Sequence, residues 1–77
     1  MSELKSLIAL DPEILTGKPI VVGTRISVEM VLGLIAAGWS EADIVADYPT
    51  LDRERILACV AYARDIVASE KVYPSAA

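Results

Sequence analysis

The sequence predicts a mainly α-helical fold, in which a short N-terminal strand and a β-hairpin precede a three-helix bundle that contains a helix-turn-helix. Three observations support this prediction. A β-branched run, Ile20–Val22, stands between turns rich in glycine and proline. Apolar residues recur at helical spacing from Val28 onward, and good capping residues precede each periodic segment. One domain is predicted over residues 1–70, and residues 71–77 are expected to form a flexible tail.

The first elements are predicted to be extended. Leu7–Leu10 is a short apolar run that Asp11-Pro12 ends, which indicates a strand. Ile20–Val22 indicates a second extended segment. Gly23-Thr24 follows it, and two central residues that begin with glycine are typical of a type II′ hairpin turn, because glycine adopts positive φ at little steric cost. The stretch therefore predicts a tight hairpin that joins Ile20–Val22 to the residues after the turn.

The first helix is predicted between Ser27, a favourable N-cap residue, and Gly38, a favourable left-handed C-cap. Apolar residues recur through this segment at Val28, Val31, Leu32, Ile35 and Ala36, with Met30 and Leu34 on the flank. Gly33 lies inside the helix, where glycine costs about 1 kcal/mol relative to alanine. We expect another backbone packed close to Gly33 to compensate, and we expect Trp39 to be the large anchor of the core.

The second helix is predicted over Glu41–Asp47, because Ser40 and Asp43 have the spacing of a capping box and Pro49 ends the segment after Tyr48. Asp52 is predicted to cap the third helix, Arg53–Ser69. The apolar stripe of this helix is expected at Ile56, Leu57, Val60, Ala63 and Val67.

A short helix, a four-residue turn and a longer helix match the order of a helix-turn-helix. In that motif the first turn of the second helix contacts base edges, which makes Arg53 and Arg55 candidate nucleic-acid residues. Asp52 and Glu54 stand beside them, and phosphate would repel both carboxylates. The alternative is a plain three-helix bundle, in which these arginines pair with surface carboxylates.

Composition indicates a partner. The 77 residues carry a net charge of −4, and 55% of them are hydrophobic. This hydrophobic fraction provides more apolar surface than one small core can cover. The longest charge-free run, Met30–Ser40, is too short to span a membrane, which needs about 20 residues. Burial against a second copy or another protein is therefore expected. The acidic helical part opposes strong binding to nucleic acid, because phosphate affinity comes from lysine and arginine.

The sequence predicts no catalytic, cofactor-binding or metal-binding residues. The sequence has no histidine, and its one cysteine, Cys59, lies among apolar residues and is interpreted as a buried thiol. Lys18 lacks the surroundings of a phosphate loop and is interpreted as a solvated turn residue. Asp43 and Asp47 are interpreted as a solvated acidic face. Arg25 is expected to pair with a carboxylate such as Asp11 or Asp47.

Asp11 to Ala63 resembles the domain-of-unknown-function family 433, and the resemblance covers about two-thirds of the chain. The shared elements, in order, are Asp11-Pro12, Gly17-Lys18-Pro19, Gly23-Thr24-Arg25, Ala37-Gly38-Trp39-Ser40, Asp47-Tyr48-Pro49 and Tyr62-Ala63. Asp52-Arg53-Glu54-Arg55 departs from the family, whose members usually have threonine before the acidic residue. That difference leaves a capping residue in place.

The resemblance implies a homeodomain-like three-helix fold and a VapB-like antitoxin, encoded beside a PIN-like ribonuclease toxin. It adds a function that residue spacing and composition did not indicate. The expected partners are that toxin, a second copy in a homodimer, and operator DNA, in the reducing cytoplasm that a lone cysteine fits. Two alternatives stay open, namely a stand-alone DNA-binding regulator and a structural dimerisation module.

Overall fold

A computed structural model describes residues 6–10 and 17–69 of the chain, in which two strands precede three helices. The elements, in order, are β1 (Ile8–Leu10), β2 (Pro19–Val21), α1 (Val28–Ala36), α2 (Glu41–Asp47) and α3 (Arg53–Ser69). The prediction of a mainly helical fold with a short antiparallel strand pair is confirmed, and α2 and α3 begin and end where the sequence places them. Asp11 and the predicted tail, 71–77, lie outside the described residues.

The two strands form an antiparallel ladder that holds the N-terminal segment against the helices. Ile8 faces Val21 and Leu10 faces Pro19 across the ladder. Pro19 has no N–H to donate, which suits the first position of a strand. The predicted hairpin is reduced to one bridge between Ile20 and Ser27, because β2 makes its main pairing with β1.

The turn after β2 differs from the predicted type II′ turn by one position. Gly23 has φ of +83° and is the third residue of a turn in which the Thr24 N–H donates to the Val21 carbonyl at 3.0 Å. Positive φ at the third position is typical of a type II turn. The Thr24 hydroxyl donates to the same carbonyl at 2.8 Å and accepts from the Ile26 N–H at 2.9 Å. These side-chain bonds fix the turn one residue earlier than the sequence pattern indicated.

Both predicted caps of α1 are confirmed. The Ser27 hydroxyl accepts a hydrogen bond from the Met30 N–H at 2.9 Å. At the other end Gly38 has φ of +99°, and its N–H donates to the Ile35 carbonyl while the Trp39 N–H donates to the Leu34 carbonyl, both at 3.0 Å. This pair of bonds is a Schellman motif, which satisfies carbonyls that the helix end leaves free.

The caps of α2 and α3 are also confirmed. The Ser40 hydroxyl accepts from the Asp43 N–H at 3.0 Å, and an Asp43 carboxylate oxygen accepts from the Ser40 N–H at 3.1 Å, which completes a capping box. Asp52 accepts from the Arg55 N–H at 2.8 Å. Between the helices, Tyr48 accepts from the Leu51 N–H at 2.8 Å, which closes the turn that contains Pro49.

The core lies where α1, α2 and α3 meet β2. Its buried residues are Ile20, Val21, Val28, Val31, Ile44, Leu51, Ile56, Ala58 and Cys59. Trp39 is half-buried and packs against this cluster, whereas Ile44 and Leu51 are the largest fully buried side chains. The core therefore depends on aliphatic side chains, and the prediction of Trp39 as its main anchor is wrong.

The backbone expected close to Gly33 is not found among the described residues. Gly33 is exposed, and a Cβ added there would have no atom within 4 Å. Among residues 6–10 and 17–69 no backbone approaches it, because the buried residues Val28 and Val31 lie on the opposite side of α1. Within the described residues, no helix is long and apolar enough to cross a membrane.

Candidate functional site

Among the described residues, the large apolar side chains with the highest exposed fractions lie around the end of α3. Leu10 from β1 is 64% exposed, while Ile66 and Val67 of α3 are 45% and 62% exposed. With the half-buried Tyr62 they form what we call the distal face. A 17-residue helix is about 25 Å long and one of nine residues about 14 Å, so α1 is too short to cover α3 along its full length. The distal face follows from this difference in length.

Two grooves border the distal face, and Tyr62 and Ile66 line both of them. One groove, of about 450 Å³, lies between β1 and α3 and is lined by Ile8, Leu10, Tyr62, Asp65, Ile66 and Ser69. The other, of about 390 Å³, lies between α3 and the start of α1 and is lined by Lys18, Pro19, Val28, Glu29, Leu32, Tyr62, Ala63, Ile66 and Val67. The second groove is almost wholly apolar. The Lys18 ammonium and the Glu29 carboxylate form an ion pair of 3.1 Å at its rim.

The predicted apolar stripe of α3 is only partly buried. Ile56 belongs to the core, but Leu57, Val60 and Val67 are exposed. Ala58 is buried as well, and the burial predicted for Cys59 is confirmed. The helix has apolar residues on both its core side and its solvent side, so spacing alone did not separate the two. The exposed set is the apolar surplus that composition indicated.

The two candidate nucleic-acid residues are engaged in ion pairs. Arg53 Nε lies 3.8 Å from a Glu41 carboxylate oxygen, and the Arg53 side chain is largely exposed. Arg55 Nη1 donates to Asp52 Oδ2 at 2.8 Å. A phosphate would have to displace these carboxylates. The pairing matches the bundle interpretation, in which surface acids neutralise the arginines.

The remaining motif residues shape the backbone. Gly17, Gly23 and Gly38 all adopt positive φ, of 84°, 83° and 99°, which glycine favours over other residues. Tyr48 is half-buried against the core and its N–H donates to the Ile44 carbonyl at 2.8 Å, so it ends α2. These positions explain the motif as a set of turns and caps.

The sequence predicts an ion pair between Arg25 and a carboxylate such as Asp11 or Asp47. The Arg25 side chain is exposed and forms no ion pair with Asp47. The other predicted partner, Asp11, lies outside the described residues. Arg25 is thus a surface residue, and the turn depends on Thr24 instead.

The titratable groups singled out in the sequence serve the fold. Cys59 is fully buried, and this burial raises the pKa of its thiol to about 11. Hydrogen bonds from the backbone and hydroxyl of Ser40 hold the pKa of Asp43 below its ordinary value. Asp43 and Asp47 lie on α2 beside Trp39, and in the part of the chain that the structure describes no three potential metal ligands cluster.

The family follows from the match to known sequences. The sequence model of DUF433, described as a protein of unknown function, matches residues 8–63. The chain belongs to DUF433. The matched range runs from β1 into α3 and includes every cap described above, but it ends before Ile66 and Val67 of the distal face.

Two similar proteins show how far the likeness extends. Uncharacterized protein y4eO of Sinorhizobium fredii (strain NBRC 101917 / NGR234) is 35% identical over 63 residues, which are 82% of this chain and 28% of that protein. The crystal structure of a DUF433 member from Anabaena variabilis ATCC 29413 superposes with a TM-score of 0.76 at 24% identity, over 87% of this chain and 66% of that one. The chain thus spans less than a third of the first relative's length, and the second comparison supports the fold.

Proposed function

We propose that this DUF433 protein is the antitoxin of a toxin–antitoxin pair, which neutralises a PIN-like ribonuclease by covering it. In this proposal it acts in the cytoplasm as a homodimer with a homeodomain-like helix-turn-helix. The observation that supports it best is the distal face, an apolar surface with two adjoining grooves on a chain whose described site residues serve the fold. An antitoxin needs such a surface for its partner and needs no catalytic group.

The distal face contributes useful but limited binding energy. Complete burial of one large aliphatic side chain contributes about 1.5–3 kcal/mol. Since Leu10, Ile66 and Val67 are about half to two-thirds exposed, covering all three contributes roughly 3–5 kcal/mol. Association of two proteins costs about 4–15 kcal/mol. The partner must therefore also place apolar side chains in the two grooves.

Charge supports a partner with a cationic surface. Residues 29–69 hold seven acidic and three basic residues, which gives the helical part a charge of −4. A ribonuclease has to attract RNA phosphates, and a PIN-like enzyme does so through bound cations. Acidic side chains around an apolar contact would compete for the same attraction and would increase the rate of association.

Operator binding is the smaller part of the proposal. The order of α2, a short turn and α3 agrees with a helix-turn-helix. Arg53 and Arg55 are paired with carboxylates, so the protein alone should bind DNA weakly and with strong salt dependence. A partner that adds basic surface would strengthen this binding.

Co-expression with the product of the neighbouring gene tests the proposal. A PIN-like product should co-purify with this protein, and its toxicity to growth should be relieved. Ile66→Gln combined with Val67→Gln should abolish both effects, because both side chains line the distal face and are already exposed. The control is Ala68→Gln, at the exposed position of α3 that directly follows Val67.

The outcomes distinguish the alternatives. Full neutralisation by the double variant would refute the distal face as the toxin contact. Failure to bind any neighbouring product would refute the antitoxin function. Tight operator binding without a partner would favour the stand-alone regulator, and self-association as the sole activity would favour the dimerisation module.

A further inference from the structure

We draw no further inference here: the strongest candidate, the groove beside α2 that Trp39, Asp43 and Asp47 line, brings an indole ring beside two carboxylates, but nothing in the structure shows which cationic group would bind there.

Discussion

Asp52 holds the first turn of α3 through two separate contacts. One carboxylate oxygen accepts from the Arg55 N–H at 2.8 Å, and the other accepts from the Arg55 guanidinium at 2.8 Å. Asp52→Ala removes both contacts, whereas Asp52→Asn keeps an oxygen for the N–H and removes only the ion pair. The two variants therefore separate the cap from the charge.

The expected losses differ by a factor of about three. An N-cap aspartate replaced by alanine costs about 1 kcal/mol. A surface ion pair with this spacing contributes roughly 0.3–0.5 kcal/mol. Asp52→Ala should thus lower the free energy of unfolding by about 1.5 kcal/mol, and Asp52→Asn by about 0.5 kcal/mol. In a domain of this size these values correspond to decreases in Tm of about 6–12 °C and 2–4 °C.

Thermal and urea unfolding followed by circular dichroism measure both losses. Glu54→Gln is the matched control, because it removes one negative charge from the same turn without touching the cap. Equal losses for the alanine and asparagine variants would show that charge, and not the cap, stabilises the turn. No loss in either variant would refute the hydrogen-bonded geometry of Asp52.

Two further predictions concern the arginines and the buried thiol. Replacing Arg53 and Arg55 together by alanine should abolish operator binding in a low-salt mobility-shift assay, and unchanged binding would place the DNA surface elsewhere. Cys59 should react with a thiol reagent only as the chain unfolds, because its side chain is fully buried. The pKa of its thiol in the folded chain, about 11, exceeds the ordinary 9.0, so the contribution of Cys59 to stability should be constant below pH 9 and fall as the pH rises toward 11. Cys59→Ala should reduce this fall. A variant whose stability depends on pH as the parent's does would contradict the prediction.

Helix positions could be predicted from the sequence because their ends depend on neighbouring residues. Ser27, Ser40 and Asp52 each accept from an N–H three residues later, so the capping pattern contains both partners. Gly38 likewise acts on the carbonyls just before it. Such contacts can be read without knowledge of the tertiary structure.

The wrong predictions concern features that are fixed by contacts between residues far apart in the chain or by hydrogen bonds of a side-chain hydroxyl group. The turn at Gly23 shifted because the Thr24 side chain joined its two ends. Leu57 and Val60 are exposed although Ile56, Ala58 and Cys59 beside them are buried, so the side of α3 that meets the other helices decides exposure, and spacing within α3 does not contain that information. The candidate site was limited in the same way, since the distal face combines Leu10 with Ile66 across the fold.

The unequal helix lengths have a thermodynamic consequence for the end of α3. Residues 66–69 have few buried neighbours, so their amide hydrogens should exchange through local opening well before the whole domain unfolds. A ligand that binds only the closed helix raises the free energy of that opening by about 2.7 kcal/mol at 100 times its dissociation constant. Occupancy of the distal face would therefore slow the exchange of these amide hydrogens about a hundredfold.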